Sequence, residues 1–281
     1  MSSGVPVLEV GGSHVTAAMV SPAIDGVEGM YRAGLDSKAS AESIVGELCE
    51  AANQLPLAKG LAVALPGPFD FAAGVAWYKL DKFAALYGHD LGRSLRERLG
   101  LDQVVFLNDA EAFTVGEWSV GELRGLDRCV GITIGTGIGS AFLNDGRAVR
   151  TGDAVPPGGE LYKTSYDGKP IEDWISARAI LRRYAEKLSD PLPPSTGVKE
   201  IAEAARAGDA IAKSALVEAF QVLSDALTPW LERFGATRVV LGGSIAGAFD
   251  VVAEVFPFPV SATADAEHSA LIGAAEHYLR N

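Results

Sequence analysis

The amino-acid sequence predicts an α/β protein with mixed sheets, organised as two lobes with a cleft between them. Short apolar segments typical of strands alternate along the chain with amphipathic segments typical of helices. Each half of the chain also contains an apolar run that breaks at glycine and then resumes, which is typical of a β-hairpin. With 281 residues, 48% of them hydrophobic, the chain is long enough for one large domain or two smaller ones.

The first half of the chain runs from a hairpin to a strand followed by a helix. Segment 7–20 predicts the hairpin, and segment 36–55 has the charge and apolar spacing of an amphipathic helix. Segment 60–70 predicts a buried strand ended by a Pro-Gly-Pro turn, and segment 90–100 predicts a short helix ended by glycine. Segment 103–122 predicts a strand, then a polar corner, then a helix.

The second half also combines a hairpin, helices and a glycine-broken strand. Segment 131–143 predicts the second hairpin, and segment 191–197 is a proline-rich connector. Segment 199–235 predicts two helices, the second of them long and apolar on one face. Segment 239–249 predicts a strand that breaks at glycine and continues towards an alanine-rich helix, and a further helix ends the chain.

The glycine-broken segments resemble one another weakly, and their spacing suggests an ancient duplication. We therefore divide the chain into two lobes. The division predicts a small N-terminal lobe formed by residues 1–107 with the C-terminal helix 268–281, and a large C-terminal lobe formed by residues 108–267.

Composition and charge disfavour several classes of protein. The net charge of −12 argues against nucleic acid or an anionic membrane as the main partner. Cys49 and Cys129 show neither metal-binding nor redox spacing, so we expect buried free thiols of a reducing compartment. Neither a secretion signal nor a run of membrane-spanning length stands out. We expect a cytoplasmic protein.

Three glycine-rich turns are candidate phosphate sites. Glycine permits positive φ and lets consecutive backbone N–H groups point into a concavity that suits an oxyanion. The alternative is that all three are tight turns that bind nothing. The candidate residues are Gly11, Gly12, Ser13 and His14 in the first turn, Gly135, Thr136 and Gly137 in the second, and Gly242 and Gly243 in the third.

Asn108 and Asp109 lie where an apolar strand meets a helix, the edge at which α/β sheets bind ligands. Asp109 in this position suits a general base that takes a proton from an attacking hydroxyl, and the Asn108 amide suits a polyol. The alternative is that Asp109 only caps the helix.

Two further carboxylates are candidates for binding hydroxyl groups. Glu160 follows a Pro-Pro-Gly-Gly loop, and Glu172 lies at the start of a predicted helix. A carboxylate accepts hydrogen bonds from neighbouring hydroxyls, as sugar sites often require. Glu172 and Asp173 equally suit a helix N-terminus, and periodicity does not separate these interpretations.

Seven motifs, in this order and spacing, resemble those of the ROK group of sugar kinases (repressor, open reading frame, kinase) over nearly the whole chain. This group has the two-lobed, actin-like ATPase fold, which is ribonuclease H-like, with an interlobe cleft. The motifs are EVGGSH (9–14), ALPGPFDFAAGV (64–75), LNDAEAF (107–113), IGTGIGSA (134–141), GGE (158–160), IEDWISARAI (171–180) and VVLGGSIA (239–246).

The resemblance implies an ATP-dependent kinase that phosphorylates a primary hydroxyl of a hexose or a hexose-like substrate. Asp109 would be the catalytic base, and Mg²⁺ would bridge the ATP phosphates mostly through water. The substrate would be held by Asn108, Glu160, Glu172, Lys163, Lys79 and Gly67. ATP would be bound by Glu9, Gly11, Gly12, Ser13, His14, Gly135, Thr136, Gly137, Gly242 and Gly243. The family also implies a homodimer.

Four departures from the family pattern limit this transfer of roles. Glu9 replaces an Asp near the magnesium, and its extra methylene can displace the carboxylate by roughly 1 Å. Lys163 replaces a His that serves both structural zinc and the sugar, and segment 160–172 contains no cysteine, so we expect no structural zinc. Lys79 and Phe83 replace an Asn and a Trp of the sugar site.

The two lysines bear on the substrate, because an ammonium group only donates hydrogen bonds. Glucose, an amino sugar such as kanosamine and a C7-cyclitol all stay open as acceptors, and an amino sugar would need carboxylates to offset the ammonium charges. Lys79 and Lys163 are alternatively ordinary surface residues.

The sequence also bears on three other classes of function. A non-catalytic sugar- or nucleotide-binding pseudo-kinase is favoured by Glu9 and by the missing zinc ligands. A ROK repressor is disfavoured because only six residues precede Val7. A dinucleotide-binding dehydrogenase is excluded because a strand, rather than the required helix, follows Gly139.

Overall fold

A computed structural model describes residues 4–79, 81–263 and 265–281. The strands are β1 (Val5–Val10), β2 (His14–Val20), β3 (Val27–Gly34), β4 (Gly60–Leu65), β5 (Phe69–Asp70), β6 (Val75–Ala76), β7 (Gln103–Asn108), β8 (Arg128–Ile134), β9 (Ile138–Asn144), β10 (Arg147–Ala148), β11 (Ser165–Tyr166), β12 (Lys169–Pro170), β13 (Arg238–Gly242) and β14 (Val260–Ala262). The α-helices are α1 (Ala41–Ala52), α2 (Leu91–Leu99), α3 (Asp109–Val120), α4 (Ala177–Glu186), α5 (Val198–Arg206), α6 (Ala210–Phe234), α7 (Phe249–Val252) and α8 (Ala266–Leu279).

The chain forms two compact units, each with its own hydrophobic core. The N-terminal unit comprises Met1–Val120 with Glu267–Asn281, and the C-terminal unit comprises Gly121–Ala266. The boundary therefore differs from the predicted one after residue 107, because α3 packs on strands β4 and β7 of the N-terminal unit.

The sheet of the N-terminal unit has the strand order β3-β2-β1-β4-β7. Strands β1, β2 and β3 are antiparallel, whereas β4 is parallel to both β1 and β7. All six residues of β4 are buried, which is why its sequence is apolar without alternation. In register, Leu65 at the end of β4 lies beside Asn108 at the end of β7.

The sheet of the C-terminal unit repeats this arrangement with the order β10-β9-β8-β13-β14. Strands β8, β9 and β10 are antiparallel, and β13 is parallel to both β8 and β14. Helices α4 and α5 both pack against the long helix α6. The predicted α/β class with mixed sheets is therefore confirmed, as is the prediction that each half contains a hairpin.

Most predicted helices form where the sequence places their ends. The Ser40 hydroxyl accepts a hydrogen bond from the Ser43 N–H at the start of α1, and Gly100 ends α2 with a positive φ of 66°. One helix differs. Residues 171–173 form a single 3₁₀ turn, and α4 begins later because Ser176 is extended and caps it through the Ala179 N–H.

Helices α3 and α8 approach each other closely through two glycines. A Cβ atom on Gly116 would overlap the backbone carbonyl of Ser269, and one on Gly273 would overlap the carbonyl oxygen of Ala112. The Ser269 hydroxyl also donates a hydrogen bond to Oε1 of the buried Glu117 (2.5 Å). Backbone-to-backbone packing of this kind requires residues without a side chain at both positions.

Both cysteines are buried and form no disulfide, as predicted. Burial raises the pKa of the Cys129 thiol to about 12. Among the described residues, no helix is both long enough and apolar enough to cross a membrane.

Candidate functional site

The first glycine turn joins β1 to β2 and is held by backbone hydrogen bonds. The Gly11 N–H donates to the carbonyl of His14 (2.9 Å), and the Leu35 N–H donates to the carbonyl of Ser13 (3.0 Å). The Ser37 hydroxyl donates to the carbonyl oxygen of Gly12 (2.7 Å). The loop that follows β3 therefore holds the turn in place.

Two side chains lie where Gly11 and Gly12 have no Cβ. A Cβ atom on Gly11 would lie 2.7 Å from the His14 ring, and one on Gly12 would collide with the ammonium group and stem of Lys82. Sequence reasoning singled out Lys79 and missed Lys82. Lys79 is exposed, whereas Lys82 is half-buried against the turn.

Three potential metal ligands gather beside this turn. The Nε2 atom of His14 lies 3.6 Å from Oε2 of Glu9 and 4.0 Å from Oε1 of Glu267. The Glu9 Oε2 atom is buried and has no hydrogen-bond partner among the described residues. Glu267 was not predicted, because it stands at the start of α8, far from Glu9 in the sequence.

The Glu267 carboxylate is itself held in place. Its Oε1 atom accepts a short hydrogen bond from the Thr16 hydroxyl, and its Oε2 atom accepts one from the Arg32 guanidinium (3.0 Å). Strands β2 and β3 thus position a carboxylate that belongs to the last helix of the chain.

Asn108, rather than Asp109, caps helix α3. Its Oδ1 atom accepts hydrogen bonds from the backbone N–H groups of Ala110 (3.0 Å) and Glu111 (3.2 Å). The Oδ1 atom of Asp109 accepts a hydrogen bond from the Ala110 N–H (2.8 Å). The Asn108 side chain therefore supplies the N-cap of α3, and Asp109 is the first residue of the helix.

The Tyr78 phenol interacts electrostatically with the Asp109 carboxylate. Burial of the phenol, and then the Asp109 carboxylate, raise the pKa of Tyr78. The Tyr78 hydroxyl donates a hydrogen bond to the carbonyl of Pro66 (2.6 Å), next to Gly67, which forms a cis peptide bond with Pro68. The end of β4 and the start of α3 are thereby linked through one buried ring.

The second glycine turn joins β8 to β9 in the C-terminal unit. The Gly135 N–H donates to the carbonyl of Gly137 (2.9 Å), while Thr136 at the tip is exposed. The Oε1 atom of Glu172 accepts a hydrogen bond from the Ile138 N–H (2.9 Å) and fills the space where Gly137 has no Cβ. One oxygen of Glu172 therefore holds the hairpin.

Glu160 lies between two 3₁₀ turns and forms a close ion pair with Lys163, which belongs to the second turn. Burial lowers the pKa of Lys163, but hydrogen bonding to Glu160 and its negative charge outweigh burial, so the net shift is upwards. The Ser140 hydroxyl donates to the carbonyl of Gly159 (2.8 Å) and accepts from the Leu161 N–H (2.7 Å), which fixes this segment on β9.

The third glycine turn packs directly on the second. Gly242 ends β13 in a buried position, and Gly243 has a positive φ of 86°. A Cβ atom on Gly243 would lie 2.5 Å from the carbonyl oxygen of Ile134, to which the Ile245 N–H also donates (3.1 Å). A glycine is therefore required at 243 by packing alone.

The comparisons with known proteins agree with this fold. The family model described as the ROK family matches residues 7–264. The glucokinase of Thermotoga maritima is 27% identical over 211 residues, which are 68% of this chain and 66% of that protein. The β-glucoside kinase of Listeria monocytogenes is 28% identical over 242 residues, which are 79% of each chain.

One solved structure shows the same fold over the whole length. The ROK-family glucokinase of Streptomyces griseus, in complex with glucose and AMPPNP, has a TM-score of 0.79 at 19% identity, covering 99% of this chain and 100% of that one. Together with the family match over most of the sequence, this likeness identifies the chain as a member of the ROK family.

Proposed function

We propose that this chain is an ATP-dependent carbohydrate kinase that transfers a phosphoryl group to a primary hydroxyl of a hexose or hexose-like substrate. The observation that carries the proposal is the position of Asp109 at the first residue of α3, with the cap supplied by Asn108. The names of the two relatives, a glucokinase and a β-glucoside kinase, and the AMPPNP bound to the Streptomyces griseus enzyme support it.

Asp109 is the general base in this proposal. Its carboxylate takes the proton from the attacking hydroxyl, which contributes about 10²- to 10⁴-fold to the rate of such reactions. The Oδ1 atom of Asn108 holds the helix, so we assign its amide N–H groups to a hydroxyl of the substrate. Positioning and neutralisation of charge supply the rest of the acceleration.

The glycine turns are assigned to ATP. Backbone N–H groups of the first two turns, with Ser13, His14 and Thr136, would contact phosphate oxygens, and Gly242 and Gly243 would lie by the adenosine. The Lys82 ammonium beside Gly12 adds a positive charge for the phosphates. Mg²⁺ fits beside Glu9, because the buried Oε2 atom needs a partner, and the ion would neutralise phosphate charge.

The acceptor is assigned to a group of sugar-binding residues in which the Lys163 ammonium group is paired with the Glu160 carboxylate. Glu160 holds Lys163, so this ammonium group brings no uncompensated positive charge to the substrate. Glucose, an amino sugar such as kanosamine and a C7-cyclitol are the proposed acceptors. The remaining proposed contacts are Glu172, Lys79 and Gly67, and a homodimer is the proposed assembly.

The test is an Asp109→Asn variant in an assay that couples ADP release to NADH oxidation over a panel of hexoses, amino sugars and cyclitols. We expect kcat to fall by about 10²- to 10⁴-fold with unchanged ATP affinity. Asp102→Asn is the matched control, because Asp102 lies in the same unit and pairs with exposed Lys59 (2.9 Å). Full activity of Asp109→Asn would remove the assignment of the base.

One observation favours a second function, a pseudo-kinase that binds sugar or nucleotide without turnover. Glu9 occupies the position at which the family has Asp. Its carboxylate also lies next to the His14 ring, 3.6 Å from the Nε2 atom. Measurable ATP affinity without ADP release on any acceptor of the panel would favour this function over the first.

A further inference from the structure

We infer that Glu9, His14 and Glu267 form a protein-only site for a first-row transition-metal ion, which this chain binds without nucleotide and in preference to Mg²⁺. The inference deepens the proposed function, since the ion would lie beside the first phosphate turn. A role of the ion in the reaction rests on the proposed function. Binding of the ion, however, is measured without any turnover.

The geometry suits one ion. The three candidate ligand atoms, one from each residue, all lie within 4.8 Å of one another. Metal–ligand bonds of about 2.1 Å place neighbouring ligand atoms about 3.0 to 3.4 Å apart. The distances of 3.6 Å and 4.0 Å from the His14 Nε2 atom to the two carboxylates therefore need only a small adjustment of side chains.

Glu9 supplies the observation that points to a ligand. Its side chain is only 15% exposed, and its buried Oε2 atom has no hydrogen-bond partner among the described residues. Leaving a carboxylate oxygen buried and unsatisfied is costly, because charged groups lose much on leaving water. A bound cation would satisfy this oxygen.

The surroundings orient the other two ligands. The absence of a side chain at Gly11 leaves space for the His14 ring, which would otherwise collide with a Cβ atom at 2.7 Å. Thr16 and Arg32 hold the Glu267 carboxylate through one oxygen each. Groups that fix the orientation of metal ligands in this way are typical of built metal sites.

The ligand set decides the preference between ions. Mg²⁺ favours oxygen ligands and retains several waters, whereas imidazole nitrogen favours first-row transition ions. Two carboxylates and one imidazole therefore suit Mn²⁺, Co²⁺ or Zn²⁺ better than Mg²⁺. His14 and Glu267, the two ligands besides Glu9, give the site its preference for a transition-metal ion over Mg²⁺.

The experiment titrates the whole chain with Mn²⁺ in the absence of nucleotide and follows free Mn²⁺ by electron paramagnetic resonance. We expect one bound Mn²⁺ per chain that an equal concentration of Mg²⁺ does not displace. Glu267→Gln and His14→Asn each weaken Mn²⁺ binding by about 10-fold or more. Glu28→Gln, an exposed residue on β3 of the same sheet, is the control and leaves the affinity unchanged.

A second measurement detects the nitrogen ligand. Co²⁺ added to the wild-type chain gives visible absorption bands that His14→Asn shifts and Glu28→Gln does not, while circular dichroism verifies that each variant folds. Absence of Mn²⁺ binding, equal affinity in all variants, or displacement of Mn²⁺ by equal Mg²⁺ would each overturn the site. A chain that turns over with Mg²⁺ but binds no Mn²⁺ in the absence of nucleotide would keep the proposed function and overturn this inference.

Discussion

Single glycines in this chain leave room for particular side chains. Gly11 leaves room for the His14 ring, Gly12 for Lys82, and Gly137 for the Glu172 carboxylate. The sequence predicts these glycines as places where backbone N–H groups approach phosphate. The contacts add a second requirement, because each position also accommodates a charged or titratable neighbour.

Lys82 is the side chain whose loss we expect to weaken phosphate binding most directly. Replacing it in Lys82→Met removes the ammonium group beside Gly12, and we expect kcat/KM for ATP to fall by about 10- to 100-fold. Steady-state kinetics with ATP as the varied substrate measures this, and Lys82→Arg should retain part of the activity because it keeps the charge.

Lys38→Met is the matched control for Lys82→Met. Lys38 is an exposed residue that pairs with Asp81 (3.0 Å) and is assigned no part in the site. Its loss should change kcat/KM for ATP by less than about twofold, since exposed ion pairs contribute little. Equal effects of the two substitutions would show that Lys82 has no special role.

Asp109 was predictable as a candidate because it follows an apolar strand. The sequence offered only Asp109 as a cap, and the backbone positions show that the Asn108 side chain accepts the hydrogen bonds of the first turn. Glu267 and Lys82 were not predictable. Glu267 lies 251 residues from its partner Thr16, and no local pattern records such a contact.

Helices α3 and α8 depend on each other through Gly116 and Gly273. In Gly273→Ala the new Cβ overlaps the carbonyl oxygen of Ala112, so the helices must separate, and we expect the free energy of unfolding to fall by about 1 to 3 kcal/mol. Unfolding in urea, followed by circular dichroism, measures the loss.

Gly46→Ala is the control for this helix contact. Gly46 lies within α1, and nothing approaches within 4 Å of where its Cβ would be. Alanine is the better helix former by about 1 kcal/mol, so this variant should be as stable as the wild type or more so. A stable Gly273→Ala would mean that the two helices tolerate separation.

The ends of helices were predictable where a capping residue in the sequence begins or ends them. Ser40 and Gly100 are both recognisable caps. The sequence placed the start of helix α4 too early, because the apolar spacing of segment 171–184 continues through Ser176. In the structure the extended backbone of Ser176 delays the helix. Periodicity records which residues are buried, but not where the backbone changes direction.

Across the whole molecule, the two sheets repeat one arrangement, and the spacing of the glycine-broken segments predicted it. The unit boundary at Val120 was not predictable from the sequence. What assigns α3 to the N-terminal unit is its packing on β4 and β7, and α8, which contacts it, comes from the other end of the chain. A boundary that depends on such distant contacts leaves no trace in local composition.

The two thiols report on the two units separately, because Cys49 lies in the N-terminal unit and Cys129 in the C-terminal one. We expect neither to react with dithionitrobenzoate at pH 8 in the native state, and both to react in urea. Burial raises the pKa of Cys129 from 9.0 to about 12, and it also raises the pKa of Cys49.

The sign of the pH dependence follows from these raised pKa values. A thiol that is neutral in the folded state contributes stability that is fully present below pH 9.0 and is lost as the pH rises towards about 12. A Cys129→Ala variant should show a smaller loss of stability over this interval. Rapid labelling of the native chain at pH 8 would contradict the expected protection.

The grouping of α8 with the first unit has a consequence for synthesis on the ribosome. Residues 121–266 are all translated before the last helix, so the second unit has its complete sequence first. The glycine face of α3 stays uncovered until α8 has been translated. A nascent chain therefore completes its units in the reverse of the N-terminal-first order that translation ordinarily imposes.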